Sequence, residues 1–365
     1  MLRLKPRDLD FSTNSLSRYN TTFLLFDIAN ASEGMRREEQ SNKSVLNKTN
    51  TDCVLRKRRN FVIIAGIVII LIVVGLYIEI FKTPEIYSLR RTEYGVCIHI
   101  YQFDPSVTIQ LIKQLNAKWI RIDWIPNEMD SFVRIMKDND VKILAILDHN
   151  TVKLEDFKRF EWQVTIENIM ATEAAKEVYA WEIWNEPNAD QFFLGYMNGT
   201  PQNYFDMLKD AYQIIKTESP DATIVAAGLS PSNEVSYFWK DWLRDFAALS
   251  LQNYFDFQGV HIYDDIDTNL KIISETKEII DKDVWITEIG KPSGPSNQGY
   301  SPEDQSSFLK SNFQMLIDMR IPIFWYQLKD EIGASDPKEN YFGLFDAQDN
   351  PKPASEAFNE FASKT

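Results

Sequence analysis

Two hydrophobic periods take turns along most of the chain. Short β-rich apolar runs stand at 95–100 (GVCIHI), 118–123 (KWIRID), 141–147 (VKILAIL) and 178–185 (VYAWEIWN). Four more follow at 223–227 (TIVAA), 257–263 (FQGVHIY), 283–288 (DVWITE) and 321–327 (IPIFWYQ). Between them the apolar positions take helical spacing, as in 203–217 (NYFDMLKDAYQIIKT) and 304–319 (DQSSFLKSNFQMLIDM). Eight strand signals alternating with helices predict an α/β fold, a (β/α)8 TIM barrel over residues 94–365. The rival is an open doubly wound sheet, which normally shows a glycine-rich phosphate turn after its first strand; IHIYQFDPS stands there instead.

Ahead of the barrel the pattern changes. Residues 61–78 (FVIIAGIVIILIVVGLYI) contain no charged side chain. At 1.5 Å rise per residue, about 20 such residues cross a hydrocarbon core about 30 Å thick. The run is too long for a signal-peptide core and lacks a small-residue cleavage site, so we expect a retained transmembrane helix at 60–81. Residues 1–59, rich in Ser, Asn, Thr and charge, predict a disordered cytoplasmic tail, and 82–93 a linker. The RKRR cluster at 56–59 favours the N-terminus inside, which puts the barrel outside the cell on a single-pass membrane protein.

Charge divides at the same place. Residues 1–60 carry 12 basic and 7 acidic side chains, and residues 82–365 carry 27 and 45. A domain so acidic is a poor partner for nucleic acid, which is bound by neutralising phosphates. Cys53 and Cys97 fall on opposite sides of the apolar segment, so neither a disulfide nor a zinc site is expected. The sequons at Asn20, Asn30, Asn42 and Asn47 would lie inside, whereas Asn198 would lie outside and accept a glycan. Nothing in the sequence indicates an oligomeric state.

In a barrel of this kind reactive groups belong at the C-terminal ends of strands. All three histidines, His99, His149 and His261, fall near such ends, after the first, third and sixth strand signals. The carboxylates obey the same rule: Glu186 ends the fourth signal in AWEIWNEPN and Glu288 ends the seventh in VWITE. Alternation along a strand would put Glu182, Trp184 and Glu186 on one face. Trp181 and Trp285 would face the helices as packing residues; Trp184 and Trp124 read either way. Two buried carboxylates directed into one mouth need either partners or a chemical role. Acetal cleavage supplies such a role, in which one acid protonates the leaving oxygen while the other attacks the anomeric carbon or activates water. Asn185 is positioned to hold a sugar hydroxyl.

These motifs resemble those of the clan A retaining glycoside hydrolases, most closely families 5 (cellulase-like) and 39. WEIWNEPN and VWITEIG look like the acid/base and nucleophile motifs, and the likeness extends from YGVCIHIY to FGLFDAQDNPKPASEAF. The resemblance implies that Glu186 is the general acid/base, Glu288 the nucleophile and Asn185 the contact to the 2-hydroxyl. It further implies that Arg121 keeps the nucleophile ionised and that His261 and Tyr263 form the strand-six pair. His149 would contact substrate, and Trp325 would form a floor under the sugar beside the cleaved bond. A structural reading of Arg121, pairing with Glu182 or Asp123, stands beside the functional one. Glu182 is expected to complete a buried polar network rather than act on substrate. Phe192, Phe193, Tyr196, Tyr341 and Phe342 read equally as sugar-stacking platforms or as loop packing.

The reading is therefore a membrane-anchored retaining β-glycosidase acting on an extracellular carbohydrate, with no cofactor and no metal. A transglycosylase on the same scaffold and a non-catalytic carbohydrate-binding barrel are the alternatives. A metal-dependent hydrolase would want closely spaced ligands such as His-x-His, and the three histidines stand on separate strands.

Overall fold

All eight expected strands form, and they close on one another. The strands are β1 (Glu93–Ile98), β2 (Trp119–Asp123), β3 (Lys142–Leu147), β4 (Ala180–Ile183), β5 (Thr223–Ala226), β6 (Phe257–Ile262), β7 (Val284–Ile289) and β8 (Pro322–Trp325). Every neighbouring pair is parallel, and β8 pairs with β1 to complete the cylinder. A helix follows each strand: α1 (Pro105–Leu115), α2 (Asp130–Lys137), α3 (Arg159–Met170), α4 (Pro201–Glu218), α5 (Trp239–Ala247), α6 (Ile266–Ile280), α7 (Pro302–Leu316) and α8 (Pro353–Ala362). This computed structural model describes residues 91–99, 104–152, 159–189, 200–233, 235, 237–249, 253–295, 299–334 and 336–364. The expected tail at 1–59 and transmembrane helix at 60–81 lie outside them, as do Phe192, Phe193, Tyr196 and Asn198. Among the described residues no helix is long and apolar enough to cross a membrane.

Local sequence explains why the helices start where they do. Asp104 accepts hydrogen bonds from the Ser106 and Val107 amides ahead of α1, and Asp265 accepts from Asp267 and Thr268 ahead of α6. Ser301 and Asp304 form a reciprocal capping box on α7. Proline opens α1, α4, α7 and α8, where its missing N–H costs nothing and its fixed φ suits the first turn.

The barrel interior is layered. Its floor is aromatic: Trp119 meets Trp285 and Phe324 edge to face, with ring centroids 5.5 and 6.0 Å apart. Because β2 and β7 are not sheet neighbours, these rings meet across the inside of the cylinder. Trp285 therefore packs, as expected, but into the floor and not against the helices. The cause is a β-bulge in β7: Val260 pairs with Ile286 and His261 with Glu288, leaving Thr287 as the extra residue. The bulge reverses the alternation, so Trp285 lies inward at the floor and Glu288 still reaches inward at the mouth. Trp181, by contrast, is on the helix side, its ring 5.0 Å from that of Trp124.

Candidate active site

Above the floor, one buried cation organises the acids. Arg121 on β2 is 3% exposed and donates Nε to Glu182 Oε2 at 2.5 Å, Nη1 to Glu288 Oε1 at 2.7 Å and Nη2 to Asn185 Oδ1 at 2.8 Å. Glu182, from the middle of β4, also accepts the Gly228 amide at 3.2 Å, so it completes a polar network as its sequence position suggested. The expected pairing with Glu182 is present, and the same guanidinium ties that carboxylate to Glu288 at the mouth.

Glu186 reaches the mouth by a route that alternation does not describe. The strand ends at Ile183, and Trp184 and Glu186 take left-handed backbone conformations, φ 73° and 43°. A tryptophan in that region is held at a cost of about 1–3 kcal/mol, which the surrounding structure must impose. Trp184 consequently leaves the face of Glu182 and packs on Trp162 of α3, ring centroids 5.9 Å apart. The Glu186 amide donates to the Gly228 carbonyl at 3.0 Å. Pro187 then stops further regular pairing, and Asn188, fully buried, fastens the turn to the loop after β5 through the Ser230 carbonyl at 3.0 Å and amide at 2.9 Å. The second asparagine of NEPN is thus a structural clamp that the motif alone did not reveal.

On the opposite wall His261 of β6 stands between the two acids. Its Nδ1 lies 2.9 Å from Glu186 Oε1 and 3.4 Å from Glu288 Oε2. Tyr263 donates its hydroxyl to Glu288 Oε2. One donor atom each of Glu186, His261 and Glu288 lies within 4.8 Å of the others. A metal ion could accept that triangle, but Arg121 and Tyr263 already donate to the two oxygens of Glu288, and a guanidinium at 2.7 Å opposes a second cation. The set suits proton transfer better.

The two carboxyls titrate apart. Burial pushes Glu186 up; its hydrogen bond with His261 offsets part of this, and the neighbouring charge of Glu288 adds to it, so its pKa lies above the ordinary range. Burial acts on Glu288 in the same direction, but His261, Arg121 and the Tyr263 hydroxyl outweigh it and leave the pKa below the ordinary range. His261 is raised: burial disfavours its charge, and the two glutamates more than compensate. Such a split is the physical signature of a proton donor beside an ionised carboxylate.

Further out, His149 Nδ1 lies 3.2 Å from Asp148 Oδ2 at the end of β3. Burial and Asp148 raise the neighbouring Asp123 to about 8. Trp325 is not a sugar floor. It is wholly buried, donates Nε1 to the Phe342 carbonyl at 3.1 Å and packs on Phe308 and Phe313 of α7. The following residue, Tyr326, is the one that faces the mouth. Its hydroxyl lies 3.0 Å from His99 Nε2 and 3.2 Å from Glu339 Oε2, and its ring is 6.3 Å from that of Tyr263. Phe342 packs behind both tyrosines at 5.3 and 5.8 Å, which decides it in favour of loop packing. Tyr326 is one position beyond the residue the resemblance indicated, so the likeness located the strand end but not the residue that faces the mouth. Glu339 lies in a loop without any periodic signal.

Comparisons agree with this architecture. Residues 156–322 match the model of the glycosyl hydrolase catalytic core. A family 39 glycoside hydrolase from the gut symbiont Bacteroides cellulosilyticus has a similar structure, with TM-score 0.58, 22% identity, and coverage of 75% of this chain and 64% of that one. A family 5 subfamily 18 protein from Bifidobacterium longum subsp. infantis gives TM-score 0.57, 15% identity, and coverage of 75% and 79%. A family 2 beta-galacturonidase from Eisenbergiella tayi gives TM-score 0.57, 18% identity, and coverage of 76% and 52%. The chain thus spans under two thirds of the first and third of these structures. No curated protein matches the chain. At such identities the structures speak for the fold, a (β/α)8 barrel, and the family model for a glycoside hydrolase core within it.

Proposed function

From a glycosyl hydrolase core in a closed barrel, we propose a membrane-anchored retaining β-glycosidase that cleaves an extracellular β-linked oligo- or polysaccharide by double displacement. The observation that carries this reading is the carboxyl pair: oxygens of Glu186 and Glu288 within 4.8 Å, one pKa raised and the other lowered. Carboxyls about 5–5.5 Å apart suit direct attack, whereas inversion needs about 6.5–9.5 Å to admit a water.

In the first step Glu288 attacks the anomeric carbon as Glu186 gives its proton to the departing glycosidic oxygen, leaving a glycosyl ester on Glu288. In the second, Glu186 takes a proton from water, whose oxygen attacks the same carbon and releases Glu288. Arg121 and Tyr263 keep Glu288 ionised and aimed. Asn185, whose oxygen is occupied by Arg121, presents its amide nitrogen to the 2-hydroxyl, a bond that strengthens as the ring gains positive charge. Tyr326 takes the floor position expected of Trp325, and His149 contacts substrate from the rim.

The anchor is the apolar segment 60–81, with RKRR at 56–59 holding the N-terminus in the cytoplasm and the barrel outside. The experiment is to treat the full chain with 2-deoxy-2-fluoro aryl β-glycosides of several configurations and to map the adduct by mass spectrometry. Glu288 should carry the label, and Glu288→Gln should abolish both labelling and turnover. A label on another residue, or full activity without Glu288, would overturn the proposal.

A further inference from the structure

One carboxyl at the mouth keeps its hydrogen-bonding capacity unspent. Asp123 is the last residue of β2, and β2 holds an unbroken register with β1 on one side and β3 on the other. Alternation therefore applies, and Asp123 shares the inward face of Arg121, one layer nearer the mouth. The sequence allowed Arg121 to pair with it. Arg121 instead gives Nε, Nη1 and Nη2 to Glu182, Glu288 and Asn185. Asp148, just past β3, is committed to its own turn: it accepts the Asn150 amide at 2.8 Å and stands beside His149. Asp123 is half-buried, and among the described residues no donor reaches its carboxyl.

The state of that carboxyl suits an uncharged ligand. Burial and the charge of Asp148 raise Asp123 to about 8, so near neutral pH it keeps its proton and offers a hydroxyl donor and a carbonyl acceptor together. Adjacent hydroxyls of a sugar match that pair, since each can both give and accept. Its position agrees with its chemistry. β3 lies four strands from β7 either way round the cylinder, so the two face each other across the mouth. Asn185 follows β4 and Asp123 ends β2, so they stand on either side of β3. A sugar with its anomeric carbon at Glu288 of β7 and its 2-hydroxyl at Asn185 sends its next carbons, C3 and C4, across toward β2.

We propose that Asp123 is a specificity-determining residue that holds the 3- and 4-hydroxyls of the sugar beside the scissile bond. This rests on the glycosidase reading above and adds the part of the substrate that is read: a glycone whose 3,4-diol is free. A sugar without one of these hydroxyls leaves the carboxyl short of a partner after taking away its water, and sites built to hydrogen-bond a hydroxyl discriminate in that way.

The test uses the full-length protein, an aryl β-glycoside that it hydrolyses, and the 3-deoxy and 4-deoxy forms of that glycoside. The wild type should lose about tenfold in kcat/KM on at least one deoxy form. In Asp123→Ala, and equally in the bulkier Asp123→Leu, the parent glycoside should fall by about the same factor. The further loss on that deoxy form should then shrink to about twofold, because the partner of the missing hydroxyl is already gone. Asp123→Asn keeps one donor and one acceptor and should recover part of the loss on the parent glycoside. Each deoxy-to-parent ratio is taken within one protein, so a general loss of activity or stability cancels. Deoxy forms hydrolysed as well as the parent by the wild type, or a ratio unchanged in Asp123→Ala and Asp123→Leu, would overturn the inference and leave the glycosidase reading intact. No hydrolysis of any aryl β-glycoside would remove the glycosidase reading and this inference with it.

Discussion

Gly228→Ala is a one-carbon test of how the carboxyl pair is held. A Cβ at position 228 would lie 2.2 Å from both Cδ2 and Nε2 of His261 and 2.8 Å from Thr287 Oγ1. Ordinary carbon contacts sit at about 3.5–4.0 Å, so the imidazole must retreat by about 1.3 Å. It has no slack toward Glu186, whose Oε1 is already 2.9 Å from Nδ1. The ring must therefore turn out from between the acids. Losing a hydrogen bond to a charged group costs about 1.5–3 kcal/mol, which corresponds to roughly 10- to 100-fold in kcat/KM if the bond is needed in the transition state. Overpacking adds about 1–3 kcal/mol to the stability cost. For a domain of this size about 2 kcal/mol lowers Tm by roughly 4–8 °C.

The direction of the pH effect follows as well. His261 lowers the pKa of both glutamates, so without it both should rise and the pH–rate profile should move to higher pH on each limb. The assay is kcat/KM against pH with a thermal melt on the same samples. Because the chain has three histidines, the ring resonance of His261 can be followed directly by NMR. A variant within twofold of the wild type, with an unmoved profile and an unshifted His261 resonance, would refute the account of Gly228 as the spacer beneath His261.

Three further outcomes are expected. Arg121→Met leaves Glu182 and Glu288 as buried carboxylates without their cation, so stability should fall by about 3–5 kcal/mol and turnover by at least 10³-fold; calorimetry and single-turnover kinetics check this. The wild-type pH–rate profile should be bell-shaped. Activity falls at low pH as Glu288 becomes protonated, below the ordinary carboxylate range, and falls again as Glu186 loses its proton above that range; Glu186→Gln should abolish the alkaline limb. Trp325→Ala should act through stability, about 3–5 kcal/mol by melt, whereas Tyr326→Phe should leave the melt within about 1 kcal/mol and cut kcat/KM about tenfold.

The architecture was legible because each strand is a short apolar run bounded by helical periodicity, and all eight lie where those runs stand. Arg121, Asn185, Glu186, His261, Tyr263 and Glu288 were legible for a related reason: the barrel brings strand ends together whatever their separation in sequence. What failed was strict alternation. Trp184 left the predicted face because β4 ends before it and its φ is positive. Trp285 went inward because Thr287 is an extra residue in β7, which no hydropathy pattern signals. Trp325 failed for another reason: the resemblance set the floor one step early in the four-residue β8, where one position separates the helix layer from the mouth. Glu339 and Gly228 were invisible for a different reason. The first belongs to an aperiodic loop, and the importance of the second lies in what a missing methyl leaves room for.

The closeness of Glu186 and Glu288 has a consequence for timing. Part of what keeps the proton on Glu186 is the negative charge of Glu288. In the proposed cycle that charge is spent when Glu288 becomes an ester, so the same event that uses the acid also weakens its hold on any new proton. Glu186 then becomes a base at the moment when a base is required, with no change of conformation. The reaction sets its own clock, and the clock is electrostatic.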